Sequence, residues 1–330
     1  MYNQKIVRRN FALLLIILFT WACQSYASPT SEKNSSTQAS QFISVITNVP
    51  TPEKSLETTP MPTGTKSSNP QKTIVVSTQT EKNYQNIDWM KLPVIPDISN
   101  NTLKIYHRGI EMGNHPNAFS KVGDCGSTPS WFFGDFDRGP RYYNLGKYTY
   151  LQKVIDYYHG SFDRTSLAAL AGYNTSSVLT PLWSDKNYCQ IDESPLECEY
   201  RIQRPSIALI TLGANDVYHL DSFEEQLRKI IEITVKQGII PVLATKPDNK
   251  EGNHQINQII ASLAIEYDIP LWNYWLAVQP LPNHGLQEDG VHITFAANDF
   301  SNPINLEAGW PVRNLTALQV LYALYTKLNP

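Results

Sequence analysis

The sequence predicts an α/β fold with a mostly parallel sheet. Two observations lead to this class: short apolar runs typical of buried strands recur in the C-terminal part of the chain, and amphipathic helical patterns separate them. Strands that are apolar on both faces need helices on both sides of the sheet. With 330 residues, 42% of them hydrophobic and 17% charged, the chain has enough apolar side chains for a large core.

The predicted strands are apolar runs that lack helical spacing. The clearest are SIALITLG at 206–213 and IIPVLATK at 239–246, which are apolar almost throughout. Residues 118–123 and 269–275 are shorter runs of the same kind. Residues 166–172 form either a buried strand or a short helix, because periodicity does not separate the two in so short a run.

The predicted helices carry apolar residues at intervals of three and four. They cover residues 147–158, 221–238, 254–268 and 313–328. The second has Asp221 or Ser222 near its N-cap and Gly238 at its end. Alternating with the strands, these helices place the strands' carboxyl ends at one edge, where functional residues of such sheets collect.

The first 27 residues have the pattern of a signal peptide. Basic residues precede an apolar run at 11–22, which is shorter than the about 20 residues that a membrane-spanning helix needs. Cleavage before Cys23 would expose it for lipidation, as in a bacterial lipoprotein, although Thr20 departs from the aliphatic residue usual three positions earlier. The small-x-small sequence 25–27 is the alternative site. Both predict export, with membrane contact only through a lipid anchor.

A linker and one globular domain are predicted after this segment. Residues 28–86 are rich in Ser, Thr and Pro and cannot bury enough apolar area to offset their ordering entropy, so they are predicted to be disordered. From residue 87 aromatic residues become frequent, and we predict one globular domain over 87–330.

Charge and cysteine usage exclude several classes of partner. The 27 Lys and Arg residues against 30 Asp and Glu residues give a net charge of −3, and basic residues form no long run that would follow a phosphate backbone. Nucleic acid is therefore not expected as a partner. The four cysteines show no CxxC spacing, so a structural zinc site is not expected either.

Loops with chemically useful residues follow the predicted strands. They are GDC at 123–125, GYNT at 172–175, GAND at 213–216 and DGVH at 289–292. His292 suits a general base, and Asp289, three residues earlier in a turn with glycine, suits the carboxylate that orients its ring. The backbone N–H groups of Cys125 and Gly172 and the side-chain amide of Asn215 are candidate donors of an oxyanion hole.

The order and content of these loops resemble the SGNH (GDSL) hydrolase superfamily of esterases, lipases and acyl hydrolases. Its blocks are GDS, a glycine, GxND and DxxH, matched here over about residues 118–328. The resemblance implies a flavodoxin-like three-layer α/β/α sandwich, a dyad of Asp289 and His292, an oxyanion hole with Gly172 and Asn215, and neither metal nor organic cofactor.

The sequence departs from that family at the nucleophile, where Cys125 replaces the serine. A thiol is the better nucleophile, and a neighbouring histidine lowers its pKa, so a Cys125–His292–Asp289 mechanism is chemically sound. Against it, a pocket shaped for oxygen holds the larger sulfur less well, and a misplacement of about 1 Å costs about a hundredfold in rate. Ser127, two residues on, is a poor substitute because its side chain is expected to point elsewhere.

The other cysteines bear on the same question. Cys189 and Cys198 are nine residues apart in a polar loop and are natural disulfide partners. If Cys23 is lipidated or cleaved off, Cys125 is left over, and an odd cysteine in an exported protein indicates a reactive thiol.

Three functions follow from these patterns. The first is an exported hydrolase that cleaves an ester or thioester, with a small-molecule or glycan substrate and acyl or acetyl groups as its target. The second is a non-catalytic glycan-binding module that retains the fold. The candidates for stacking on sugar rings, most of which are more simply explained by packing in the core or in loops, are Trp131, Tyr142, Tyr143, Trp183, Trp272, Trp275 and Trp310. The third is acyl transfer to an acceptor other than water.

Overall fold

Four parallel strands form the central sheet of this computed structural model, which describes residues 88–329. The strands are β1 (His115–Gly123), β3 (Pro205–Thr211), β4 (Ile240–Ala244) and β5 (Leu271–Trp272), hydrogen-bonded in that order. The predicted signal peptide (1–27), the linker (28–86) and Cys23 lie outside the described residues.

Burial on both faces is consistent with the central positions of β3 and β4 in the sheet. Every residue of β4 is buried, and so is all of β3 except its last residue, as expected of strands covered on both faces. The register pairs Val122 with Ile210, and Ile207 with Ile240. These strands form the centre of the hydrophobic core.

Helices cover both faces of the sheet and confirm the α/β class. They are α1 (Asn100–Glu111), α2 (Asp135–Arg138), α3 (Gln152–Tyr157), α4 (Thr175–Leu179), α5 (Pro195–Gln203), α6 (Leu220–Lys236), α7 (Gln255–Glu266), α8 (Tyr274–Val278) and α9 (Gly309–Leu328). Helix α4 contacts α5 and α6, α6 contacts α7, and α9 contacts α3 and α8. Within residues 88–329, none of the helices combines the length and apolar character needed to cross a bilayer.

The predicted strands at 118–123, 206–213 and 239–246 are confirmed, and the one at 269–275 is too long. Strand β5 ends at Trp272 because the side chain of Asn273 accepts a hydrogen bond from Leu276 N (3.2 Å) and starts helix α8. Residues 166–172 form neither a strand nor a helix. They contribute one isolated bridge, from Ala169 to Gly123 at the end of β1.

The helix predictions hold with shifted boundaries. Residues 146–151 form a 3-10 helix before α3 begins at Gln152. Helix α6 begins at Leu220, with Asp221 in its first turn, near the N-cap as predicted; the cap is His219, whose side chain makes no capping hydrogen bond. Helices α1 and α5 were not predicted, although Ser194 and Glu197 form a capping box at the start of α5.

A second, smaller sheet joins two long loops. Strands β2 (Tyr143–Asn144) and β6 (Asn298–Asp299) pair in parallel. Strand β2 lies in the segment that follows Cys125 along the chain, and β6 lies in the segment that follows His292. The two segments thus hold each other in place through backbone hydrogen bonds, among them one from Phe300 N to the Asn144 carbonyl (2.7 Å).

Candidate active site

The turn that contains the predicted nucleophile, residues 124–127 and below called the nucleophile turn, follows β1 directly. Cys125 begins a short 3-10 helix, Cys125–Ser127, is half-buried and is not in a disulfide. Gly126 is held from both sides: its N–H donates to Asp124 Oδ1 (2.9 Å), and its carbonyl accepts from Arg313 Nη1 (2.5 Å). The turn is therefore fixed by the residue before Cys125 and by a residue of the last helix.

Ser127 faces the interior of the protein. It is fully buried, and its Oγ shares a hydrogen bond with Thr211 Oγ1 (2.5 Å). Its side chain fills the space beside Gly123, where an added Cβ would lie 2.2 Å from Ser127 Oγ. The prediction that Ser127 points away from the site is confirmed, and this packing explains why glycine precedes the turn.

The dyad turn, residues 287–293, brings Asp289 and His292 into contact. His292 Nδ1 lies 2.5 Å from Asp289 Oδ2, while Asp289 Oδ1 accepts from the backbone N–H groups of Val291 (2.9 Å) and His292 (3.0 Å). Gly290 has φ +67°, a conformation that favours glycine. Both side chains are about half exposed, with relative exposures of 48% for Asp289 and 51% for His292.

Electrostatics assign the roles of the ring nitrogens. Partial burial raises the pKa of Asp289, but hydrogen bonds from the His292 ring and from two backbone N–H groups outweigh it and lower this pKa to about 2. The carboxylate is then an acceptor only, so Nδ1 of His292 must donate to it. In the neutral ring Nε2 therefore carries the basic lone pair.

Gly172 and Asn215 lie in neighbouring loops that contact each other. Gly172 is the third residue of a turn closed by a hydrogen bond from Tyr173 N to the Leu170 carbonyl (3.0 Å), and its φ of +84° requires glycine there. One N–H of the Asn215 amide donates to the Tyr173 carbonyl (3.0 Å). The amide's second N–H has no hydrogen-bond partner within residues 88–329.

Asp216 ties these two loops together. It is fully buried, and its Oδ1 accepts hydrogen bonds from Thr175 N (3.0 Å) and Thr175 Oγ1 (2.6 Å). Burial raises the pKa of Asp216, and the hydrogen bonds from Thr175 oppose that shift. Asp216 therefore fixes the loop of Asn215 against the loop that follows Gly172.

The loop after β4 contacts the dyad turn, and none of its residues is among the predicted site residues. Lys246 Nζ lies 2.6 Å from both Asp248 Oδ1 and Glu251 Oε2, and all three side chains are buried. Lys250, in the same loop, donates to the Asp289 carbonyl (2.9 Å). A Lys-x-Asp sequence directly after a buried strand was the available signal.

The nucleophile and dyad turns lie at the same edge of the sheet. Burial raises the pKa of the Asp124 carboxyl, whereas the charges of Arg313 and His292 lower it and that of Asp248 raises it. Asp124 thus lies within electrostatic reach of the dyad. Charged groups from three loops and the last helix therefore surround the residue adjoining Cys125.

A layered aromatic stack borders the nucleophile turn. The rings of Trp131 and Trp310 stack at 5.4 Å with an interplanar angle of 24°, and the Arg313 guanidinium lies over Phe132 (4.3 Å) and Trp310 (5.6 Å). Trp131 is 39% exposed, so one end of the stack faces solvent.

Cys189 and Cys198 form a disulfide that joins a surface loop to helix α5. Glu193 lies near the two sulfurs, which makes this trio a geometric candidate for a metal site. Its sulfurs are bonded to each other, however, and the thiolate is the form that binds metal.

No family model and no curated protein matches this chain. Among solved structures, it is similar to a GDSL-like lipase from Bacteroides thetaiotaomicron VPI-5482, at 15% identity and a TM-score of 0.40, over 68% of this chain and 98% of that chain. It is also similar to a catalytic mutant of an acetylxylan esterase from Geobacillus stearothermophilus, at 15% identity and a TM-score of 0.40, over 63% of this chain and 94% of that chain. These similarities are too low to assign an activity, which depends on the residues of the site.

Proposed function

We propose that this protein is an ester hydrolase with Cys125 as nucleophile, His292 as general base and Asp289 as the carboxylate that orients the base. The observation that carries the proposal is the dyad: a carboxylate held ionised and bonded to Nδ1 leaves Nε2 of His292 basic, at the sheet edge where the nucleophile turn ends β1. This is the arrangement that nucleophilic acyl transfer requires.

The reaction runs in two steps. Nε2 of His292 accepts the Cys125 thiol proton, the sulfur bonds to the ester carbonyl carbon, and the carbonyl electron pair moves onto oxygen. The intermediate collapses to a thioester, and the C–O bond breaks as the leaving alcohol takes the proton from His292. Water then gives a proton to His292 and attacks the thioester, which releases the acid and returns the proton to sulfur.

The oxyanion in each step needs converging donors. The backbone N–H groups of Cys125 and Gly172 and the second N–H of the Asn215 amide are the proposed set. The hydrogen bond from Asn215 to the Tyr173 carbonyl supports it, because it fixes the amide beside the Gly172 turn. Loss of one such donor costs about 3 kcal/mol of transition-state stabilisation, so Asn215→Ala is expected to lower kcat about a hundredfold.

The proposed substrates are acyl or acetyl esters of glycans outside the cytoplasm. The partly exposed ring of Trp131 favours a sugar-containing substrate, since flat sugar faces stack on aromatic rings. The disulfide between Cys189 and Cys198 supports export, because such bonds persist in oxidising compartments. We propose that a signal peptide exports the protein, with or without lipidation of Cys23, and that residues 28–86 form a linker.

Turnover of p-nitrophenyl acetate by the purified protein tests the mechanism. We expect multiple turnovers that Cys125→Ala abolishes, with Cys125→Ser as the matched variant that restores a hydroxyl nucleophile. A rate that is the same in wild type and Cys125→Ala would overturn the proposal. A single burst without turnover would instead indicate acyl transfer to an acceptor other than water.

A glycan-binding module without catalysis is the second candidate. The partly exposed ring of Trp131, in the aromatic stack that borders the nucleophile turn, favours it. Binding of acetylated oligosaccharides by both wild type and Cys125→Ala, without product release by either, would select this function. Trp131→Ala then serves as the matched loss-of-binding variant.

A further inference from the structure

Arg313 is a buried cation beneath the nucleophile turn. Only 7% of the residue is exposed, and its neighbours along α9, Val312 and Asn314, are buried as well. Its Nη1 donates to the Gly126 carbonyl (2.5 Å), one residue after Cys125, and the face of its guanidinium packs on Phe132 (4.3 Å). The planar group is therefore fixed in both position and orientation.

This cation lacks a carboxylate in contact with it. Among residues 88–329, no Asp or Glu oxygen lies within 4.0 Å of its nitrogens. Burial lowers the pKa of Arg313, whereas the charges of Tyr274, Asp124 and Cys125 raise it. A buried charge without a paired ion is costly, so an anion that forms beside it gains correspondingly.

The replacement of serine by cysteine supplies such an anion. A serine hydroxyl stays neutral until it attacks, but a thiol ionises before substrate arrives, and its reactivity depends on the thiolate fraction. Resting on the proposed function, we propose that Arg313 is a positioning residue that holds the nucleophile turn through Gly126 and stabilises the Cys125 thiolate from the protein interior. His292 then acts on the same sulfur from the solvent side.

Several charged groups surround the turn. Asp124 lies within it, Asp248 comes from the loop after β4, and His292 comes from the dyad turn. Tyr274 on α8 and Arg313 on α9 complete the set. Arg313 and His292 favour a thiolate, Asp124 and Asp248 disfavour it when ionised, and the Tyr274 hydroxyl donates to the Gly309 carbonyl (3.0 Å). Arginine is not deprotonated in proteins, so Arg313 carries its charge at every pH at which the thiol titrates.

The test is the rate of Cys125 alkylation by iodoacetamide as a function of pH, read by mass spectrometry of the Cys125 peptide. We expect wild type to titrate well below the value of about 8.5 of an ordinary cysteine thiol. Arg313→Gln is expected to shift the midpoint upward by about one pH unit, so that alkylation at neutral pH slows about tenfold. Arg313→Lys, the matched variant that keeps the charge, is expected to keep the midpoint while kcat falls through loss of the planar contact to Gly126. An unchanged midpoint in Arg313→Gln overturns the proposal.

His292→Ala decides the matter if Arg313→Gln does not fold, because His292 is half exposed and its removal leaves the core intact. We expect its midpoint to stay below about 8.5, held by Arg313 alone. A return to that value overturns the role of Arg313. Failure of the proposed hydrolase looks different: Cys125→Ala and wild type would turn over ester equally, whatever the midpoint of the Cys125 thiol.

Discussion

The nucleophile turn and the dyad turn meet at one edge of the sheet but are built in opposite ways. The dyad turn is half exposed, and most of its hydrogen bonds join residues within Gln287 to Ile293, with Asn283 and Lys250 as outside supports. The nucleophile turn depends on Arg313, 187 residues away along the chain. Its geometry is thus a product of the folded core, whereas the dyad's geometry is a local property of its own sequence.

Within the two turns' supporting residues, His292→Ala is expected to lower activity most and to leave stability almost unchanged. Loss of a general base costs about 10²- to 10⁴-fold, so kcat on p-nitrophenyl acetate should fall about a thousandfold. The melting temperature should stay within about 1 °C, because exposed pairs contribute little to stability. A melting temperature lowered by several degrees would show that the dyad turn, too, supports the core.

Gly126→Ala is the corresponding change in the nucleophile turn, and it should affect both properties. An added Cβ would lie 3.0 Å from Asp124 Oδ1 and 3.3 Å from Arg313 Nη1. We expect about 1–2 kcal/mol of destabilisation, as for other overpacked sites, and a kcat lower by about a hundredfold through misplacement of the nucleophile.

Gly290→Ala is the matched control in the dyad turn. It meets open space but must adopt φ +67°, so its cost should be about 1 kcal/mol of backbone strain. Chemical denaturation and steady-state kinetics on both variants check the pair. Equal losses of kcat would remove the contrast between the turns.

Lys121, on the strand that leads to the nucleophile turn, should make the free energy of unfolding depend on pH in the neutral to alkaline range. Burial and the charge of Arg164 lower its pKa from 10.5 to about 7, and its Nζ donates to the Phe162 carbonyl (2.7 Å). Between these values the folded state binds fewer protons than the unfolded state, so stability rises with pH, by at most about 1.4 kcal/mol per unit. Urea unfolding from pH 7 to 10 should show this slope in wild type and lose it in Lys121→Met.

Asp289 should have the smallest effect on stability, and this effect should appear only at acid pH. Its pKa of about 2 in the folded protein lies below the ordinary value of 3.8, so the stability that it contributes is complete above the ordinary value and is lost as pH falls toward 2. The acid limb of kcat/KM above pH 4 should therefore belong to another group. Carbon-13 titration of the Asp289 carboxyl checks this; a midpoint near 4 would contradict it.

The same contrast explains what the sequence could and could not reveal. Strands β3 and β4 were predictable because burial on both faces makes them apolar throughout, and the Asp289–His292 contact lies within one short turn. The strand at 269–275 was overextended because Asn273 caps a helix that its apolar neighbours conceal. Arg313 was out of reach, because only folding brings the start of α9 under the turn after β1.

The pairing of β2 with β6 has a consequence for redesign of specificity. The segments after Cys125 and after His292 share a ladder of backbone hydrogen bonds, and Asn298 further binds Asp135 (2.8 Å) and Asn314 (2.9 Å) through its side chain. Grafting one segment from another protein would leave its partner's backbone groups unmatched. A graft, or a natural exchange during evolution, must therefore replace both segments together.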